Sequence, residues 1–360
     1  MINKEYYNAA ESAAVWLIKS QNAGDDDGFA SHYHNKDGWY PSYPEVTGYI
    51  LPTIIAYTER SFDSADLNLI KKSVRAANWL LSIQLKSGAF QGRLIGDTPT
   101  VPVIFNTGMI VFGLIAVYKK TKCRDYLNAA IKAGDWLIDN QDDDGVWRKY
   151  LTLNGTGESH IYHTRVSWAL LELFKTTGKE EYCDPARKNI VWALTHQKSS
   201  GWFDRSCLLS ENNDTPLIHF LVYTIRGILE AGLLLNISSW INAAERAAKG
   251  FLRSQQKHNT IYARYNKEWE PAVDWICPTG VAQISIVYLK LYLLNREAEW
   301  LEATDRNLEY LISIQGRDGE NVEGAIMGSD PIDGPYMPNS YLSWATKFFL
   351  EALILGEELK

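Results

Sequence analysis

No Cys-x-x-Cys pair occurs in this chain, and its four cysteines, Cys123, Cys183, Cys207 and Cys277, lie far apart. That spacing excludes a disulfide framework or a zinc ribbon and suits a reducing compartment. A long basic run is also missing and the net charge is −7, so nucleic acid is not an expected partner. No window reaches about 18 uninterrupted apolar residues, and no membrane span is expected. The opening residues MINKEYYNAAES lack the apolar centre of a signal peptide, which makes a cytoplasmic location the expectation. A Val/Ile/Thr-rich alternation long enough for a large sheet is absent too.

What the chain does have is a repeat. Gln21, Gln84, Gln141, Gln197, Gln255 and Gln315 recur at gaps of 63, 57, 56, 58 and 60 residues, each closing a helix-like run such as AANWLLSIQ or AGDWLIDNQ. Four are soon followed by glycine and an aromatic: GF at 28–29, GAF at 88–90, GVW at 145–147 and GWF at 201–203. Six units of about 60 residues are the signature of a repeat architecture. Between the glutamines a second set of helices is expected over 46–59, 105–119, 162–176, 217–234, 277–294 and 340–355. The Gln-ending set is amphipathic, whereas the second set is apolar nearly all round and belongs inside. Alternating half-exposed and buried helices imply an all-α (α/α)6 toroid, twelve helices in an outer and an inner ring, spanning 1–360 as one domain.

The connections are unequal. Inner-to-outer links such as 119–125 are short, but outer-to-inner links such as 22–45, 142–161 and 256–276 run to roughly 20 residues. Long loops in a compact domain are usually functional. All six emerge at one end, together with the N-termini of the inner helices, whose positive dipole ends favour anionic ligands. The site is expected there. Thirteen Trp and twenty Tyr exceed what a core of this size usually needs, and several sit in these loops.

The inner helices open on related signatures: Glu45-Val-Thr47-Gly48, Asn106-Thr107-Gly108, His163-Thr164-Arg165 and Thr279-Gly280. Thr is expected to cap and Gly to allow close helix packing. The variable neighbours Glu45, Asn106, His163 and Arg165 would then converge at the barrel mouth. Glu45 lies among aromatics, where burial raises a carboxyl pKa. Asp274 precedes the fifth inner helix, and Glu323, Asp330 and Asp333 lie in the last long loop. Two carboxyls facing each other could serve as acid and base, or as acid and nucleophile. Arg165 and Arg226 interrupt apolar helices, and a buried guanidinium needs an anionic partner. The DDDG strings at 25–28 and 142–145 follow the repeat glutamine directly and read as turns.

The glutamine–glycine–aromatic repeat resembles that of triterpene cyclases and of the protein prenyltransferase β subunit, which share this toroid. Their catalytic signatures are not carried over. No D-x-D-D acid is present, Asp274 and Cys277 are spaced DWIC, and no His follows Cys277. No metal or other cofactor is expected, and Cys277 reads as a small buried hydrophobe. The strings GWYPSYPEVTGYILPT (38–53), HTRVSWALLEL (163–173), PLIHFLVYTIRGILE (216–230) and CPTGVAQISIVYLKLY (277–292) further resemble a family of proteins encoded with bacterial and archaeal polysaccharide-biosynthesis genes. That resemblance implies a link to exopolysaccharide or surface-glycan assembly and supplies no reaction. The architecture is also similar to six-hairpin glycosidase and uronate-epimerase toroids, which by analogy implies a sugar substrate.

The expected function is therefore glycan processing: a hydrolase, lyase or epimerase acting on an anionic or N-acylated oligosaccharide or a sugar-lipid, with other proteins of a glycan-assembly pathway as possible partners. Glu45 is the expected acid/base, partnered by Asp274 or Glu323, with His163 and Arg165 on a carboxylate. Trp39, Tyr43, Trp147 and Trp269 would offer flat faces to the sugar, and Asn106 and Gln283 would contact hydroxyls. Tyr49, His219 and Arg226 complete the expected binding set. Two readings of other classes stand beside this one. An isoprenoid binder or cyclase would need a deep, dry aromatic cavity, and a non-catalytic glycan-binding scaffold would leave no carboxylate free in the mouth.

Overall fold

A computed structural model describes residues 4–60, 68–151, 159–207 and 214–359. Twelve α-helices run through them: α1 Lys4–Gln21, α2 Pro44–Thr58, α3 Leu69–Ile83, α4 Ile104–Thr121, α5 Arg124–Asp139, α6 Thr164–Thr177, α7 Cys183–Leu194, α8 Ile218–Leu235, α9 Ser238–His258, α10 Pro278–Asn295, α11 Ala298–Ser313 and α12 Ser343–Glu357. The even-numbered helices pack in sequence and α12 returns to α2, which closes an inner ring. The odd-numbered helices lie outside it. The fold is an (α/α)6 toroid.

Burial follows the two sequence patterns. Outer helix α9 buries Ala243, Ala244, Ala247, Ala248 and Phe251 along one stripe, whereas inner helix α10 buries every residue from Pro278 to Leu289. Inner helices α4, α6, α8 and α10 end on the left-handed residues Lys122, Gly178, Asn236 and Arg296. Such a cap stops a helix within one residue, which is why the links to the outer ring stay short. Helix α8 is long and apolar enough, by length and composition, to cross a membrane, but it is an inner-ring helix with most of its length buried in the protein.

The recurring glutamine is a clasp. In five of the six its side-chain amide donates to a carbonyl of its own following turn and to one on the next outer helix, and Gln255 instead makes both bonds to α11, at the Ala303 carbonyl and Asn307 Oδ1. Gln84 reaches Gly88 and Ala129, Gln141 reaches Gly145 and Pro185, and Gln197 reaches Gly201 and Ala243. Gln315 bonds the Ala9 carbonyl on α1 and so joins the last repeat to the first. The recurring threonine differs from its expected capping role. Tyr43 and Val103 occupy the N-cap positions, and neither makes a side-chain cap bond. Thr47, Thr107 and Thr346 sit one turn in, and their hydroxyls accept the backbone N–H groups of Phe29, Phe90 and Ile326. Each therefore pins its long loop onto the inner ring. Gly48 does allow close packing, since a Cβ there would lie 2.5 Å from the Ile110 Cα.

The long loops carry a small sheet ordered β2-β1-β3, built from β1 (His32–His34), β2 (Gly38–Trp39) and β3 (Ser340–Leu342). Both pairings are antiparallel, with Tyr33 opposite Trp39 on one side and Tyr341 on the other. The first and last long loops are thus stitched together at the mouth.

Candidate active site

A cavity of about 330 Å³ opens at the mouth, where the inner helices begin. Tyr43 and Glu45 enter it from the start of α2, Asn106 from α4, and His219, Phe220 and Tyr223 from α8. Tyr336 and Trp344 come from the last loop and α12, and Arg93 from the second long loop stands at the rim. Eight aromatic rings line it, and Glu45 is its one carboxylate among the described residues.

Burial pushes the Glu45 carboxyl up to about 7; a hydrogen bond from the Tyr43 hydroxyl and the positive charge of Arg165 hold it below a still higher value. Asn106 Nδ2 donates to the Tyr43 oxygen at 3.4 Å, completing a relay from α4 to the acid. His219 faces the same space. Burial lowers it to about 4, so it is neutral near pH 7. Its Nδ1 lies 3.0 Å from Gln283 Oε1; with the proton on Nδ1, Nε2 keeps the lone pair of a base. The group as a whole holds a proton donor poised near neutrality beside a neutral imidazole, walled by aromatic faces.

The structure gathers only part of the expected set here. Tyr43, Glu45, Tyr49, Asn106 and His219 line the cavity, and Gln283 stands behind His219. Arg165 is fully buried beneath the mouth, its guanidinium 4.7 Å from the Tyr223 ring centre and 5.3 Å from that of Trp168. Arg226 lies further down, paired with Glu230 and Glu351.

Other expected residues are elsewhere. Trp147 is wholly buried with its indole N–H on the Leu137 carbonyl, and it packs against His163. Trp269 is buried against Trp202 and Phe251 and donates to the Ser200 carbonyl. Both aromatics are turn ballast of the repeat and offer no free face to a sugar. Trp39 is half-buried on β2 against Trp16 and Tyr33, outside the cavity lining. Asp274 and Glu323 are exposed and do not line the mouth; Glu323 borders a separate groove beside α1. Asp330 is taken by the Tyr310 hydroxyl at 2.8 Å. His163 is sealed among Trp147, His160 and Tyr162, and burial holds it well below the ordinary imidazole range. It cannot carry the charge that binding a carboxylate requires.

Sequence reasoning missed Phe105, Tyr162, Phe220, Tyr223, Tyr336, Trp344 and Arg93. Four of them, Phe105, Tyr162, Phe220 and Trp344, sit at or just before the starts of inner helices, where the repeat register already pointed. Among the described residues no group of three or more His, Cys, Asp or Glu is arranged to hold a metal.

A family model, squalene-hopene cyclase C-terminal domain, matches residues 39–232, more than half of the chain. The chain belongs to that family. Over nearly its whole length it is also similar in fold to solved structures. An unsaturated glucuronyl hydrolase specific for heparin superposes with a TM-score of 0.78 at 16% identity, over 99% of this chain and 98% of that one. The cellobiose 2-epimerase of Bacillus thermoamylovorans B4167 gives 0.76 at 12% identity, over 97% and 98%. An unsaturated glucuronyl hydrolase from Bacillus sp. GL1 gives 0.73 at 14%, over 97% and 96%. At these identities the likeness is one of fold. The family model covers three and a half hairpins, and the structural matches extend the same toroid to all six.

Proposed function

We propose that the protein is a glycan-processing enzyme whose mouth cavity takes one end of an anionic or N-acylated oligosaccharide, and that it serves exopolysaccharide or surface-glycan assembly. The observation that carries this is Glu45, a lone buried carboxyl titrating near 7 in an aromatic-walled cavity. A group poised there gives and takes protons with equal ease at neutral pH, as a general acid/base must. Tyr and Trp rings present an apolar face with a polar tip, which suits a ring bearing both C–H and O–H groups. Arg93 at the rim is the residue to meet a substrate carboxylate. Hydrolase and epimerase activities named for solved structures of the same fold support the class by analogy.

The geometry also narrows the chemistry. Ordinary glycoside hydrolysis pairs two carboxyls about 5–9.5 Å apart, and among the described residues Glu45 is the one carboxylate lining the cavity. Reactions that one carboxyl and a neutral imidazole can run fit better. One is protonation of an unsaturated sugar's double bond followed by addition of water; another is movement of a proton at a carbon next to a carbonyl, as in epimerisation or elimination.

The family match and the largely aromatic lining favour a second reading, an isoprenoid ligand. Against it stands the acid itself, since protonating an unactivated alkene demands a strong acid and Glu45 is a weak one. The test is incubation with a panel of acidic and N-acetylated oligosaccharides, saturated and unsaturated, in D2O with mass spectrometry. Added water, new unsaturation or one deuterium retained at carbon identifies hydrolase, lyase or epimerase. Unchanged sugars across the panel, with isoprenoids turned over instead, would overturn the glycan reading.

A further inference from the structure

A second cavity, of about 400 Å³, lies on the toroid axis at the opposite end. Tyr49 lines both cavities, and Arg165 lies between them as part of the floor. The lower chamber is lined by the middle and C-terminal parts of α2, α4, α8, α10 and α12 and by Arg165, Trp168 and Glu172 of α6, of which Arg165 comes from the first turn.

Its charges do not balance. At the rim, Lys119 pairs with Glu172 and Arg60 with Glu358. Inside, a chain of contacts alternates in sign: Lys290 bonds Glu230 at 3.0 Å, Glu230 meets Arg226 at 3.4 Å, and Arg226 and Lys347 both bond Glu351. Three cations thus share two carboxylates. Arg165 is a fourth cation and has no carboxylate at ion-pair distance among the described residues. Its Nε finds only the Met109 sulfur at 3.1 Å, and aromatic rings cover its faces.

Two features show that this surplus is felt. Arg165 and Arg226 are both more than nine-tenths buried, line the chamber, and each keep an Nη1 with no acceptor. Lys347 is brought down to about 7 by burial and by the neighbouring guanidinium groups, against the pull of Glu351. A buried guanidinium lacking an acceptor is costly, and cation–π contact offsets only part of that. The inner helix dipoles do not cause the surplus, because their C-terminal ends are negative and their effect fades within a turn.

We infer that the lower chamber is a binding site for a small amphipathic oxyanion, with a phosphate or carboxylate head held by Arg165, Arg226 and Lys347 and a flat or apolar body against Phe112, Ile115 and Trp168. Planar guanidinium groups match such heads in a two-point fashion. The site is distinct from the mouth and does not rest on the glycan reading.

The experiment is isothermal titration of the full chain with phenyl phosphate and benzoate, with inorganic phosphate as the headgroup alone. One saturable site is expected, tighter for phenyl phosphate than for inorganic phosphate. Lys347→Met should weaken it by roughly tenfold or more, the effect of losing one charged hydrogen bond; Lys290→Gln should weaken it less, because Glu230 released from Lys290 draws more strongly on Arg226; and Arg93→Ala at the mouth should leave it unchanged. Lys290 is 22% exposed, so its variant keeps a folded reference, checked by thermal unfolding. Absence of saturable binding, unaltered affinity in both lysine variants, or loss of binding in Arg93→Ala would overturn the assignment.

Discussion

The Tyr43 hydroxyl donates to the carboxyl of Glu45 two residues further on, across the first turn of α2. The bond partly opposes what burial does to this acid, and the proton equilibrium of Glu45 reflects that contest. Burial wins, and the carboxyl rests near 7.

Stability should record the imbalance. A carboxyl whose folded pKa lies above its unfolded value binds more protons in the native state, so its cost is absent below about 4.5 and grows as pH rises through 7. The shift from 4.5 to about 7 corresponds to about 3 kcal/mol. Glu45→Gln, which keeps an acceptor for Tyr43, should therefore be more stable than the parent at pH 8 and equal to it at pH 4. Denaturant unfolding at the two pH values measures this, and a constant difference between them would show that Glu45 does not titrate as described.

Activity should follow the same group. With Glu45 as general acid, kcat/KM falls above a limb near pH 7; with Glu45 as base, it rises through that limb. Glu45→Gln should lose about 10²–10⁴-fold in kcat. Tyr43→Phe removes the bond that holds the pKa down, and Arg165→Met removes the positive charge that does so. Both should move the limb to higher pH. A limb that stays in place in both variants would assign it to another residue.

The architecture was legible from periodicity alone, because a six-times repeated glutamine clasp and two burial patterns recur in register. The helix starts were legible as well, and the positions of Glu45 and Asn106 came with them, while Tyr43 was read as a loop aromatic and stands at the N-cap of α2. The aromatics were harder. Trp147 and Trp269 sit in loops by sequence, yet Trp147 folds under its own outer helix, where its indole N–H finds the Leu137 carbonyl, and Trp269 packs on α9 with its N–H on the Ser200 carbonyl of the preceding repeat's turn. Loop position therefore did not mean exposure. Arg165 and Arg226 were recognisable as misfits on apolar helices, but only the staggering of those helices decides that they lie beneath the mouth. Asp274 and Glu323 failed because carboxylates in long loops reach the cavity only if the loop turns inward, and no local pattern encodes that.

Close packing in the inner ring yields a prediction about stability alone. A Cβ at Gly48 would sit 2.5 Å from the Ile110 Cα and 2.8 Å from its Cγ1, and backbone there cannot yield without parting α2 from α4. Gly48→Ala should cost about 1–3 kcal/mol as overpacking does, even though alanine is the better helix former. Thermal unfolding would decide it. A stabilised variant would mean that the two helices are free to separate.

Ring closure provides the last test. Gln315 Nε2 donates to the Ala9 carbonyl and the Gly324 carbonyl, both at 3.0 Å, while Gln141 makes the equivalent bonds to Pro185 and Gly145 within the chain's interior. Leucine at either position leaves buried carbonyls short of a donor, at about 1–3 kcal/mol. The consequences should nonetheless differ. The helix clasped by Gln141, α7, is also joined to α5 through α6, the next helix along the chain, whereas Gln315 clasps α1 across a separation of 306 residues in sequence. Gln315→Leu should therefore speed amide exchange selectively in residues 4–21 before global unfolding, and Gln141→Leu should lower stability without loosening α7 ahead of the rest. Equal local protection of α1 and α7 in the two variants would mean that the sheet joining the first and last loops, through Tyr33 and Tyr341, closes the ring without the glutamine.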